Sequence, residues 1–235
     1  MMESLRGLTM ATAMENEVVA FVVYSVLVLV VADAFVTFVL GVSPRARWYF
    51  VHAIGNGFVC ATCIAPALTF LADPVDALRN PIRFDPSATI IAVIHAYHIA
   101  LFKCSTADIV HHFLFVFIGT TVQVFYGGEY GGLAAVYHFA ICGLPGGIDY
   151  FLSGLVDMGL VAKITRIRVA VELNMWLRSP LLIACATFAL LWYTMSDKNA
   201  FTTVGAGLMV FISVGNSQYY ARQVCLAAGR KYKID

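Results

Sequence analysis

Long apolar runs alternate along this chain with short polar or proline-rich breaks. The runs cover residues 17–41, 48–72, 87–102, 109–126, 133–156, a stretch that ends near 195, and 200–221. A membrane-spanning helix needs about 20 predominantly apolar residues. The pattern therefore predicts an all-α, polytopic transmembrane bundle of about seven spans. Pro44, Arg45 and Arg47 close the first run, and Trp48-Tyr49 read as an interfacial belt. Residues 73–86 (DPVDALRNPIRFDP) carry three prolines and mixed charges and read as a loop. Gly127, Gly128, Gly131 and Gly132 form a flexible connection, and Gly143-Leu-Pro-Gly-Gly147 interrupts the fifth run. Residues 157–180 are amphipathic and basic (Lys163, Arg166, Arg168), and the sixth span is kinked or begun at Pro180. Three parts result. Residues 1–47 are an N-terminal tail and first transmembrane helix, 48–221 the main transmembrane domain, and 222–235 a basic tail. The first apolar run is too long for a signal peptide and lacks its basic leader, so it is expected to be retained.

Composition strengthens this reading. The chain is 60% hydrophobic and 12% charged, with a mean hydropathy of +0.81, whereas soluble domains carry roughly 25% charged residues. A net charge of +1 and the lack of a basic aromatic patch argue against nucleic acid as a partner. Cys60 and Cys63 have redox or zinc spacing but sit in FVCATCIAPALTF, where thiols read as small packing residues. Seven spans divide the cations unequally. Ten fall on the side of the C-terminus (Arg45, Arg47, Lys103, Lys163, Arg166, Arg168, Arg222, Arg230, Lys231, Lys233) and four on the other (Arg6, Arg79, Arg83, Lys198). The positive-inside rule then predicts a cytosolic C-terminus and a lumenal N-terminus. In a eukaryotic cell the dilysine ending Lys231-Tyr-Lys233-Ile-Asp would engage the COPI coat and hold the protein in the endoplasmic reticulum; the alternative is a plain basic tail.

With that orientation, a rise of about 1.5 Å per helical residue sets the depth of each polar group. Asp33, His52, Asn56, His95, His98, His111, His112, Asp149 and Asn216 all fall in the cytosolic half, on six different spans. Gln123 and His138 fall in the outer half. The expectation is a polar cavity inside the bundle, open to the cytosol, above a more apolar outer half. Such a shape suits an amphipathic ligand. Four of the six histidines lie in HAYHIALFKCSTADIVHH, residues 95–112, and intramembrane ionisable residues mark functional sites by default. Asp108 is three residues before His111 and four before His112, so its carboxylate can orient either ring. His111 and His112 are then the candidate general base or nucleophile. The plainer alternatives are that Asp108 caps a helix and that the histidines are packed, hydrogen-bonded core residues. Asn174 and Arg178 form another i,i+4 polar pair, to hold phosphates or to let Arg178 snorkel to the interface. His95, His98, His52, Asn56, Asp149, Asn174 and Arg178 complete the candidate substrate-binding set.

Asp108-Ile-Val-His111-His112 at the start of a membrane helix, the glycine-rich connection after it, and the Asn174-Met-Trp-Leu-Arg178 entry to a later helix resemble the TLC-domain (TRAM/Lag1/CLN8) family. The resemblance covers about residues 48–220. It implies a barrel of about six helices around a lipid-sized cavity, open here to the cytosol. For the ceramide synthases of that family it implies transfer of an acyl chain from acyl-CoA by the histidine pair, roles that would fall on His111 and His112. The chain diverges from those enzymes. Phe113, Leu114 and Phe115 stand where they carry a threonine, and their His-Asp-x-x-Asp signature is not present.

Three functions follow. The first is lipid acyl transfer with acyl-CoA as co-substrate and no bound cofactor or metal. The second is a non-enzymatic lipid-binding or lipid-homeostasis protein using the same cavity. The third is a zinc-dependent intramembrane lipid hydrolase with His95, His98 and His112 as ligands. Six histidines fall short of the eight or so of membrane di-iron hydroxylases. The last span has no lysine for a retinal Schiff base. In each case the partners are membrane lipids, and a homo-oligomer stays open.

Overall fold

The computed structural model describes residues 2–80, 86–119, 130 and 132–232. Gln123, Arg83, the glycines at 127, 128 and 131, and Lys233 lie outside the described residues, as do the side chains of Arg6 and Lys231. The described residues are all α, without a strand. Their elements are α1 (Met2–Ala34, prolonged by a π turn at Phe35–Val39), α2 (Pro44–Ala72), α3 (Pro74–Arg79) and α4 (Pro86–Leu101). There follow α5 (Thr106–His111, prolonged by a π turn at His112–Phe117), α6 (Gly132–Asp157), α7 (Lys163–Met195) and α8 (Ala200–Tyr232). Five helices are long and apolar enough to cross a membrane: Glu17–Val39 within α1, α2, α6, α7, and Ala200–Arg230 within α8. α4 is apolar but has only 16 residues.

Several breaks expected from sequence are continuous helix. The 73–86 loop begins with a helical turn, because Asp73 accepts from the Asp76 N–H at 3.0 Å as an N-cap and Pro74 takes the first helical position. The Gly143–Gly147 and Pro180 interruptions are π turns, at Phe139–Gly143 and Asn174–Arg178, each just ahead of its proline. A proline cannot bond the carbonyl four residues back and crowds it. One extra residue in the preceding turn relieves that conflict without ending the helix. The basic tail opens as a continuation of α8 rather than as a separate segment. Positive φ angles at Gly41 (59°) and Gly159 (74°) turn the chain after the first span and after α6.

α2 is the centre of the bundle. It packs against α1 and α4 on one side and against α6 on the other, with α7 beyond α6 and α8 against α7. The α2–α6 contact is antiparallel and lined by glycine. Cβ atoms built on Gly132, Gly143, Gly146 and Gly154 would sit 2.9 Å from Phe70 Cβ, 3.1 Å from Cys60 Sγ, 2.9 Å from Asn56 Nδ2 and 2.7 Å from Phe50 Cζ. Small residues let membrane helices approach closely, where packing rather than hydrophobic exclusion drives association. Around this contact lies a buried apolar core that includes Val59, Cys63, Phe70, Leu133, Leu182 and Trp192. Large apolar side chains such as Phe38, Phe211 and Val31 are left exposed on the outside, as a lipid-facing surface requires. α1 is held to the bundle by Asp33, which pairs with Arg47 and accepts from the Tyr97 hydroxyl at 2.7 Å. At the same end, Ser43 caps α2 by accepting from the Ala46 N–H and donates to Asp157.

Gly154→Ala should lower stability by about 1–3 kcal/mol through overpacking against Phe50, seen as a lower midpoint in thermal unfolding in detergent. Gly57→Ala, whose Cβ would meet no atom within 4 Å, should be neutral or slightly stabilising. Equal effects at both positions would contradict the glycine-packed contact.

Candidate functional site: a histidine-rich intramembrane cavity

Five of the six histidines gather in one layer near the end of the bundle that carries Arg47 and Lys103. α4 brings His95 and His98, one helical turn apart, and α2 brings His52. The α5 region brings His111 and His112. The ring centroids of His52 and His95 are 5.5 Å apart, those of His95 and His112 5.2 Å, and those of His95 and His111 5.9 Å. Aromatic rings fix the imidazoles. Trp48 stacks on His98 at 3.7 Å and Tyr150 stacks on His52 at 3.8 Å. Trp48, expected with Tyr49 as an interfacial belt, therefore turns inward onto the histidines, while Tyr49 lies at the cavity described below and its hydroxyl accepts from Arg45 Nε at 3.0 Å. The sixth histidine, His138, is bonded to Ser87 Oγ at 2.8 Å deeper in the bundle.

A cavity of about 290 Å³ opens beside this layer. Its wall is drawn from α2, α4, the α5 region, α6, α7 and α8; α1 stays outside it. Of the candidate residues, His52, Asn56, His95, His111, Asp149 and Arg178 line it. His98, His112, Asp108 and Asn174 do not. The adjacent histidines are thus divided: His111 faces the cavity, while His112 turns to His98, with 3.3 Å between His98 Nδ1 and His112 Nε2. Asn174 acts through its neighbour. Its amide donates to the Ala170 carbonyl at 2.7 Å, and its Oδ1 accepts from Arg178 Nη1 at 3.1 Å.

Arg178 is 7% exposed. Its guanidinium lies over the Tyr220 ring at 4.9 Å and donates through Nη2 to the Ile141 carbonyl at 3.3 Å. That carbonyl is the one that Pro145, lacking an N–H, cannot reach in an α-helical pattern. Tyr220 Oη lies 3.4 Å from His111 Nδ1, so α7, α8 and α5 are linked through Arg178, Tyr220 and His111. The side-chain amides of Asn56 and Asn216, both at the cavity, are buried with neither polar atom hydrogen-bonded, and so are Arg178 Nε and His52 Nδ1. Native proteins leave few buried polar groups unsatisfied. This concentration at one cavity marks a place where a polar ligand group fits.

Asp149 is engaged by Arg166 through two hydrogen bonds, of 3.0 and 2.7 Å, at the rim. Asp108 closes a capping box. Its carboxylate accepts from the Ser105 N–H at 2.8 Å and hydroxyl at 2.7 Å, and the Ser105 hydroxyl accepts from the Asp108 N–H at 3.3 Å. Burial opposes its ionisation, but these hydrogen bonds and the nearby His98 and His112 hold its carboxyl below the usual range. Burial, followed by the Asp108 charge, pushes the Cys104 thiol up. The residues that sequence reasoning missed are mostly aromatic: Tyr49, Tyr137, Tyr150 and Tyr220, together with Arg166 and His138. A signal existed for one of them, since Tyr220 lies one helical turn from Asn216 on the same face.

Helices of this length and apolarity, packed around a buried polar cavity, define a helical membrane protein. No family model matches the chain, and neither does a curated protein or a solved structure.

With the native cysteines replaced, His111→Cys should react with a small, charged methanethiosulfonate reagent at least ~10-fold faster than His112→Cys. Equal rates would mean that the two side chains are not divided between the cavity and the His98 contact.

Proposed function

We propose that this protein is a membrane enzyme of TLC type that transfers an acyl group from an acyl-CoA thioester to a lipid acceptor within the histidine-lined cavity. The observation that carries the reading is the convergence of His111, Arg178 and unpaired amides on a cavity that also has apolar walls, including Ile91, Val116 and Ile141. At about 290 Å³ it sits at the lower end of the ~300–1,000 Å³ common for ligand pockets. It fits a reacting head group and the start of a chain, with the remainder of the lipid outside it.

In this mechanism His111 removes the proton from the acceptor's amine or hydroxyl as that atom attacks the thioester carbonyl. Negative charge develops on the carbonyl oxygen, and the buried Arg178 guanidinium and the Asn56 or Asn216 amide stabilise it in a low-dielectric site. The intermediate collapses with cleavage of the carbon–sulfur bond. The leaving thiolate takes the proton from His111, and free CoA and the acylated lipid result. Tyr220 holds the His111 ring, and Arg166 at the rim provides a cation for the CoA phosphates. The cytosolic mouth required for CoA follows from the bias of basic residues toward one end of the bundle.

A non-enzymatic lipid carrier would use the same cavity, and one experiment separates the two readings. Cells expressing the wild type are compared by lipidomics with cells expressing His111→Ala at matched levels, and the purified proteins are assayed for CoA release with acyl-CoA and the lipid that accumulates. Acyl transfer predicts that one acylated lipid class rises only with the wild type, and that CoA release falls ~10²-fold or more in the variant. Equal lipid changes with both proteins, without CoA release, would overturn it in favour of binding alone.

A further inference from the structure

We propose that His98, Cys104 and His112 form a zinc-type divalent metal site that staples the turn between α4 and α5. Each residue offers one ligand atom, and these atoms all lie within 4.8 Å of one another. Among the described residues, His95 is not part of this group. Its Nδ1 is bonded to the Ile91 carbonyl at 2.7 Å. The three-histidine set expected from sequence thus gives way to two histidines and a thiol.

The geometry is specific in three respects. With Zn–N bonds of about 2.0–2.1 Å, two nitrogens on a tetrahedral zinc stand ~3.3 Å apart. His98 Nδ1 and His112 Nε2 are separated by 3.3 Å. Second, stacking on Trp48 fixes the His98 ring, and His112 is buried. Third, Cys104 brings its ligand atom from the turn between the two histidines to within 4.8 Å of both. Asp108 lies outside this group and stays in the capping box, so water completes a tetrahedral set. Imidazole and thiolate together select zinc over magnesium or calcium, which require oxygen ligands.

The ligands are spaced as His-x5-Cys-x7-His from the end of α4 to the π turn that follows α5. A metal here would close the 13-residue turn between His98 and His112. It would also set the rotation of α5 and so the position of His111. His98, Cys104 and His112 do not line the cavity. The metal would act on the turn rather than within the cavity, and the proposal does not rest on the acyl-transfer reading.

The test uses full-length protein without a polyhistidine tag, purified in detergent, stripped with a chelator and titrated with Co(II). The expected result is about one Co(II) per chain, with tetrahedral visible bands, a thiolate-to-cobalt charge-transfer band, and displacement by Zn(II). Cys104→Ser should abolish the charge-transfer band. His112→Ala should weaken binding by more than the roughly 10–100-fold that changes to outer-shell partners cost. A second measurement needs no variant. Equimolar Zn(II) should protect Cys104 from N-ethylmaleimide in the wild type while leaving Cys225, which is exposed, reactive. No charge-transfer band, a band that survives Cys104→Ser, or unprotected Cys104 would each overturn the site.

Discussion

Glycine along one face of α6 brings its backbone against α2, and the cavity takes its position from that approach. Hydrocarbon gives two membrane helices no apolar reason to prefer each other over lipid, so contact depends on how closely the chains fit. Here the fit runs from Gly132 against Phe70 to Gly154 against Phe50. At its middle, Gly146 and Gly147 admit the Asn56 side chain. A residue with a side chain there would occupy the space in which Asn56 and the cavity now lie. The same close approach brings Tyr150 of α6 onto His52 of α2. The apolar contact and the polar site are thus two consequences of one packing choice.

The histidine layer is held by a division of contacts rather than by one network. His52 and His98 are clasped by aromatic rings, His95 by its own helix backbone, and His111 by Tyr220. Asp108, at the entry to this layer, starts α5 through its capping box with Ser105. Prolines contribute indirectly. Pro145 imposes a π turn, and the Ile141 carbonyl in that turn accepts from Arg178. A residue read as a helix breaker therefore helps to place the cation most deeply set in the cavity wall.

Much of the architecture was legible because a bilayer forces apolar residues into long runs. The apolar runs at 48–72, 87–102, 133–156 and 200–221 match the helices α2, α4, α6 and α8 to within a few residues, apart from the extension of α8; of these α2, α6 and α8 are long enough to cross a membrane, and α4 is shorter. Proximity was legible too, since rise per residue places His52, His95 and His111 within about one helical turn of a common level, and their rings meet in one layer. Rotation about each helix axis was not. His111 and His112 differ by about 100° in direction, and packing of α5 against its neighbours decides which one meets the cavity. The cavity tyrosines were hidden for another reason. Tyr is at home at a membrane interface and inside a polar cavity alike, so its presence near a span end does not distinguish the two. The π turns leave no local pattern beyond a proline downstream, and those at Phe35–Val39 and His112–Phe117 lack even that.

Asp33 and Arg47 are only 14 residues apart, yet their pair joins the first two membrane helices. During synthesis, the first span would enter the bilayer carrying a carboxylate whose insertion costs up to about 3 kcal/mol at the centre of a helix. Its counter-charge leaves the ribosome roughly one to three seconds later at ~5–20 residues per second. The first two spans can therefore neutralise each other as a hairpin before α4 exists. Tyr97 then completes the cluster when the third apolar segment arrives. The order of the chain thus doubles as an assembly schedule, with the least buried span secured by its nearest neighbour and the cavity closed last, when α8 brings Tyr220 to His111.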